Sequence, residues 1–415
     1  MQKQNLYPVD YLFNEASSLL SRLEQVKPFS MTMPMVMGAS ISGRAMKAIT
    51  TLLENSKMKL NFSIYKFIEN IRLHRQNIDS RKYHSSFTIL KLRYNSILDQ
   101  LDIFADVLTQ RAEHEVGVWL SGLDTLAEDG LANGADLYEV PALMVYLDRG
   151  HGAAIRRTRT RLPGGDLNPV AVIQIPRERM VGSGIASSLV HEVGHQAAAL
   201  LGLVPSLKSA IASRLTTDDI NGWNYLEKWI SEIICDVWAM GHLGVSATMG
   251  LMGVVTLPEY FQFRIDPNDP HPAPYIRVQL SCAFGKKMFP HGQWDDLWLL
   301  WKTFYPTAGL KKETVLVLKE IENRIDDFTN LVLQHSTKEM KGKKLIDVFN
   351  VKEIHPAKLR QAFQLWKQKK ISLNSMRPTF LFAVLGQAKY DLIINAKEEN
   401  QLITKQLRRW AFLRN

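Results

Sequence analysis

Two histidines four positions apart, with a glutamate beside the first, are the residues of this chain best spaced for chemistry. They form the run His191-Glu192-Val193-Gly194-His195. On a helix, positions i and i+4 lie on one face a turn apart, so both imidazoles can grip one Zn2+ at about 2.0–2.1 Å. Glu192 projects beside them and can take a proton from a water that the metal has acidified. Such a short pattern also arises by chance in a chain of 415 residues, so the reading depends on a second element.

That element is a third ligand, because catalytic zinc takes three protein groups and keeps one position open. Glu232 lies 37 positions after His195, within Trp229, Ile230, Ile233, Ile234, Val237 and Trp238. A carboxylate on so apolar a helix is costly to bury unless it is paired or holds a metal. Asp236 sits one turn further on the same face and can accept the second N–H of His191 or His195, which would set that ring's orientation. Two alternatives stay open. Glu232 and Asp236 could face solvent or pair with Lys or Arg, or the third ligand could be Asp218 or Asp219.

The run HEVGH followed by SEIICD resembles the gluzincin pattern of thermolysin-like metallopeptidases, an HExxH helix with a downstream ExxxD helix. The likeness covers about 50 residues of this chain, so it concerns the site and not the whole fold. It implies His191, His195 and Glu232 as zinc ligands, Glu192 as general base, Asp236 as the ring-orienting partner, and a peptide or protein substrate. It also implies that the strand Val170 to Ile175 is the edge strand that holds an extended substrate, as β-augmentation would allow. The metzincin pattern fails, since its later Gly and His positions are Ala198 and Leu201 here. A second patch, Asp269 to Arg277, resembles the His-Pro then Arg segment of CAAX-processing and heat-shock membrane metalloproteases. On that likeness His271 or Tyr275 would donate to the oxyanion of a tetrahedral intermediate. The plainer reading is that His-Pro starts a helix and Arg277 pairs structurally.

The elements that must position these residues follow from periodicity. An apolar face on Leu90, Tyr94, Ile97, Leu101, Phe104 and Leu108 predicts a long helix from about Phe87 to Leu126. Val140 to Leu147 and Val170 to Ile175 are short apolar runs suited to strands. A helix from about Ser183 to Leu201 carries the motif, and a second covers about Tyr225 to Met240. The expected fold is mostly α with a small β-sheet, an α+β core flanked by helical N- and C-terminal regions. The expected divisions are a helical region 1–134, a catalytic core 135–337 and a basic helical region 338–415.

Composition narrows the class. With 46% hydrophobic and 22% charged residues, extended disorder is excluded. Cys235 and Cys282 are the only cysteines, too few for a disulfide framework or a cysteine-rich zinc site. The N-terminus lacks a signal peptide's basic start and apolar core, which points to the cytoplasm. Val237 to Leu257 is uncharged and long enough to span a bilayer, but its glycines favour a buried helix broken near Gly241 to Ser246. Membrane association is the lesser alternative. Residues 338–415 hold 17 Lys or Arg against 6 Asp or Glu, while the whole chain is +10, so the basicity is local to this segment. It suggests an acidic partner or anionic surface there. Arg156, Arg157, Arg159 and Arg161 form a second basic run, which lacks the interleaved aromatic residues of a nucleic-acid groove. Beside a peptidase, the sequence leaves room for a metal-stabilised binding protein with an inactive site, or for an effector acting through its basic tail.

Overall fold

In the computed structural model, the described residues are 7–75, 79–132, 136–149, 152–177, 182, 184–214, 220–266 and 269–414. The expected class holds: long helices surround a single three-stranded sheet. The strands are β1 (Leu143–Asp148), β2 (Ala154–Arg156) and β3 (Ala171–Pro176), in the order β1-β3-β2. β3 runs parallel to β1, with Leu143 opposite Ala171, and antiparallel to β2, with Ile155 opposite Ile173. β3 is therefore the central strand, which corrects its expected place at the edge. The strand on the site's side of the sheet is β2.

The two edges of this sheet are treated differently. Beyond β1 there is no further strand among the described residues, and side chains take the place of one. Gln110 donates to the Leu147 carbonyl at 2.7 Å and accepts from its N–H at 2.9 Å. Asp124 accepts the Val145 N–H at 2.7 Å, and Arg111 donates to the Val145 carbonyl at 2.7 Å. This clamp also explains why the long helix expected from Phe87 to Leu126 is broken. Helix Ser80–Thr109 ends in a tight turn at Gln110–Ala112, and a new helix, His114–Ala132, begins. The turn aims Gln110 and Arg111 at the strand, an arrangement no periodicity encodes.

The motif helix (Gly184–Leu200) and the carboxylate helix (Ile220–Leu243) carry the predicted site residues. The motif helix is buried on nearly every face, which fits its uncharged Val193, Gly194 and Ala197. Two close approaches need glycine. A Cβ on Gly194 would lie 2.9 Å from the Cα of Cys235 and 3.0 Å from Cβ of Trp238, so the two helices cross there. A Cβ on Gly250 would lie 2.3 Å from Cβ of Ser187, which brings helix Val245–Val255 against the motif helix. The break expected near Gly241 to Ser246 falls at Gly244, whose φ is 54°. No helix among the described residues is long and apolar enough to cross a membrane.

The expected divisions shift. Val9, Leu19, Ile64, Phe67 and Phe87 build a separate small core among the first helices. Helix His114–Ala132, however, belongs to the main core through Trp119, Leu123 and Leu131. So does the basic C-terminal segment, through Leu381, Leu385, Leu407 and Trp410. That segment is a wall of the core and not an appendage. Part of its charge is used internally: Arg360 pairs with Asp391 at 2.8 Å, and Arg414 reaches Asp124 at 2.7 Å and Glu128 at 2.6 Å.

Replacing Gly194 by Val should cost roughly 2 kcal/mol or more, because the added carbons meet backbone and not a flexible side chain. Thermal unfolding would measure this, and an unchanged midpoint would show that the helices do not cross so closely.

Candidate metal centre

The crossing at Gly194 puts one face of the motif helix against one face of the carboxylate helix. His191 and His195, one turn apart, stand with ring centroids 5.1 Å apart and planes nearly perpendicular. Both Nε2 atoms converge on Glu232. His191 Nε2 lies 3.3 Å from Oε2, and His195 Nε2 lies 3.5 Å from Oε1. The expected third ligand is thus where the two imidazoles point. Asp218 and Asp219, the alternative, lie outside the described residues.

Asp236 closes the other side of His191. Its Oδ1 meets His191 Nδ1 at 2.8 Å, which turns Nε2 toward the cavity. Asp236 is in turn held by Arg277, whose Nε donates to Oδ2 at 2.7 Å and whose Nη2 donates to Oδ1 at 2.9 Å. Such a two-point grip fixes the plane of the carboxylate. Arg277 Nη2 also stands 3.7 Å from Glu232. The arginine comes from helix Pro274–Met288, so three helices meet at one charged chain running Arg277, Asp236, His191. The sequence pointed to a structural pairing for Arg277 but not to its partner. Its signal was an arginine on the apolar first turns of a Pro-started helix.

The electrostatics follow from burial and partners. Burial alone would drive the His191 imidazole toward neutrality, but the hydrogen bond and charge of Asp236, with Glu232, outweigh it and lift the group to about 9. Burial and the neighbouring His191 charge push His195 down to about 4, so it is a neutral imidazole with a free lone pair. For Glu232, burial is outweighed by His191 and Arg277, which hold the carboxyl at about 2. Arg277 and His191 likewise keep Asp236 well below the usual carboxylate range despite its burial. Burial pushes Glu192 up to about 7, with the His191 charge opposing and Glu232 adding to the rise. The cluster therefore keeps a proton on His191 and none on His195, and a cation held between them and Glu232 would take that proton's place.

Cys235 competes for the same position, since one of its atoms falls within 4.8 Å of ligand atoms of both histidines. It makes the poorer ligand. Its Sγ donates to the Ser231 carbonyl at 3.1 Å, and burial raises the thiol well above its ordinary range. A metal needs the thiolate, whereas Glu232 is already an anion. Of these groups His191 and Glu232 line the cavity, while His195 and Cys235 lie behind its lining.

That cavity is about 230 Å3. Gly152 and Ala153, leading into β2, form one wall, and Leu251 and Val254 form an apolar one. Glu192 and His271 line it too. His271 stands at the mouth, about half exposed, with Nε2 3.6 Å from Glu232 Oε2 and Nδ1 2.9 Å from Asp269. Tyr275 is not in the cavity, which corrects its expected place there. Its ring packs at 5.0 Å from Phe263 and 5.1 Å from Trp298, and burial pushes its phenol up to about 12. Two positions on a helix differ by about 200°, so once Arg277 faces Asp236, Tyr275 faces the opposite side. Sequence reasoning missed Ser187, Ser188, Leu251 and Val254, small or apolar residues that carry no chemical signature. Compared with known protein families, curated proteins and solved structures, the chain matches none.

Asp236→Asn should leave the helices folded but weaken metal retention by roughly 10- to 100-fold, the usual cost of losing a ring-orienting partner. Competition with a chelator would measure it, and undiminished retention would mean that the Asp236 contact does not govern the His191 ring.

Proposed function

We propose that this protein is a zinc-dependent hydrolase, a metallopeptidase in which His191, His195 and Glu232 hold the metal. One observation carries the reading: two imidazole Nε2 atoms point at the two oxygens of one buried carboxylate, with a second carboxylate, Glu192, in the same cavity. Two neutral nitrogens and one anionic oxygen form the donor set of many catalytic zinc sites. When bound, zinc supplies a Lewis acid that polarises a carbonyl and acidifies a water.

The chain's own residues supply the rest. Glu192, buried and poised near neutrality, takes the proton of the attacking water and returns it to the leaving amine as the C–N bond breaks. Asp236, gripped by Arg277, holds the His191 ring so that its lone pair faces the cavity. His271 at the mouth is the group placed to donate to the developing oxyanion. The apolar wall of Leu251 and Val254 excludes water from one side of the reacting carbonyl.

Replacing His191 and His195 together by Ala should abolish metal binding, as read by elemental analysis of the purified protein. Glu192→Gln separates enzyme from scaffold: it should fold, keep its zinc and lose peptide hydrolysis by about 10²–10⁴-fold. Glu232→Gln should instead weaken zinc retention, because it removes an anionic ligand. A Glu192→Gln protein that cleaves peptides as fast as the parent would turn the site into a structural metal site.

A further inference from the structure

A second and larger cavity, about 650 Å3, lies on the other face of the sheet. Register fixes which side chains face it. Gln174 of β3 stands opposite Tyr146 of β1 and Ala154 of β2, and Val172 stands opposite Arg156. These residues therefore share the face turned from the motif helix, and helix Ser80–Thr109 roofs it with Ile103 and Asp106. The basic run of the sequence supplies one wall, through Arg156, Arg157 and Arg161.

These arginines differ from those of the C-terminal segment. Arg360, Arg377 and Arg414 each meet a carboxylate. Among the described residues no ion pair involves Arg156, Arg157 or Arg161; Arg161 donates only to the Gly165 carbonyl, at 3.0 Å. These exposed arginines give the cleft cations with no ion-pair partner of their own, and an anionic group can pair with them there. Asp106 and Asp148 also line the cleft, so the lining is of mixed sign. A phosphate backbone, negative at every step, would meet both carboxylates. A peptide can confine its acidic groups to one short run and put that run against the arginines alone.

One stretch of chain borders both cavities. Gly152 and Ala153 line the metal cavity, and Ala154 to Arg157 line the larger one. Just beyond, the Thr158 N–H donates to Gln196 Oε1 at 2.9 Å, which pins the loop to the residue after His195. From these observations we propose that the larger cleft is a recognition subsite for an acidic segment of an extended peptide. The peptide as substrate rests on the hydrolase reading, whereas its binding in this cleft does not.

The test is a binding measurement on the Glu192→Gln variant of the whole 415-residue chain, with and without added zinc. The probes are a fluorescein-labelled peptide bearing a Glu-Asp-Glu run, its Gln-Asn-Gln counterpart and a twelve-residue oligothymidylate. The acidic peptide should bind about tenfold tighter than the amide one at low salt, with or without metal, and the preference should fade as salt rises. Arg156→Gln with Arg157→Gln, whose side chains make no described hydrogen bond, should erase the preference. Asp106→Asn with Asp148→Asn should instead strengthen acidic-peptide binding, an effect of opposite sign that a misfolded variant cannot give. Equal affinity for both peptides, or a preference that survives loss of the two arginines, overturns the proposal. So does tighter binding of the oligothymidylate through the same arginines. Arg157 also acts on His195, so Arg156→Gln alone should lower the preference as well, and loss of zinc in other variants bears on the metal centre.

Discussion

The hydrogen bonds that Asp236 makes, to His191 on one side and to Arg277 on the other, hold this structure's chemistry in place. A buried carboxylate is costly without partners, and here each partner comes from a different helix. The pairing ties the motif helix, the carboxylate helix and the helix starting at Pro274 at one point. It also decides which nitrogen of His191 faces the cavity. With Nδ1 engaged, Nε2 is left to face Glu232, and the second histidine one turn on completes the convergence. Arg277 offsets part of the negative charge that Asp236 and Glu232 bring, while Glu192 stays near neutrality through burial. The same cluster thus holds two carboxyls, Glu232 and Asp236, as anions and a third, Glu192, close to its titration point.

Packing makes this possible. The site's helices approach as closely as they do because Gly194 and Gly250 have no side chain where Cys235 and Ser187 press against them. Trp229, Ile230, Ile233, Val237 and Trp238 surround the charged face with buried apolar surface. Burial of each such side chain is worth about 1.5–3 kcal/mol, enough together to carry the cost of a few well-partnered charges. The C-terminal helix belongs to the same body. Arg414 ends it on Asp124 and Glu128, and Asp124 is also the residue that receives Val145 of β1. One edge of the sheet is therefore sealed by Gln110, Arg111 and Asp124, while β2, on the other, runs beside the cavity of His191 and Glu232 and the arginine-lined cleft.

What the sequence determined by itself was local and periodic. A spacing of four between His191 and His195 puts both on one helical face whatever surrounds them, and the same is true of Glu232 and Asp236. The apolar runs of β1 and β3, the helix break at Gly244 and the predominance of helix are likewise written in composition and period. What only the tertiary structure decided was everything that depends on contacts between segments far apart. The sequence could not say that β3 is central, because strand order is set by pairing across loops. It could not separate Tyr275 from His271, because which side of a helix faces the site is known only once Arg277 has found Asp236. Nor could it tell an appendage from a wall. The charges of residues 338–415 are visible in the sequence, but the carboxylates that Arg377 and Arg414 reach, and the core that Leu407 and Trp410 fill, are brought to them only by folding.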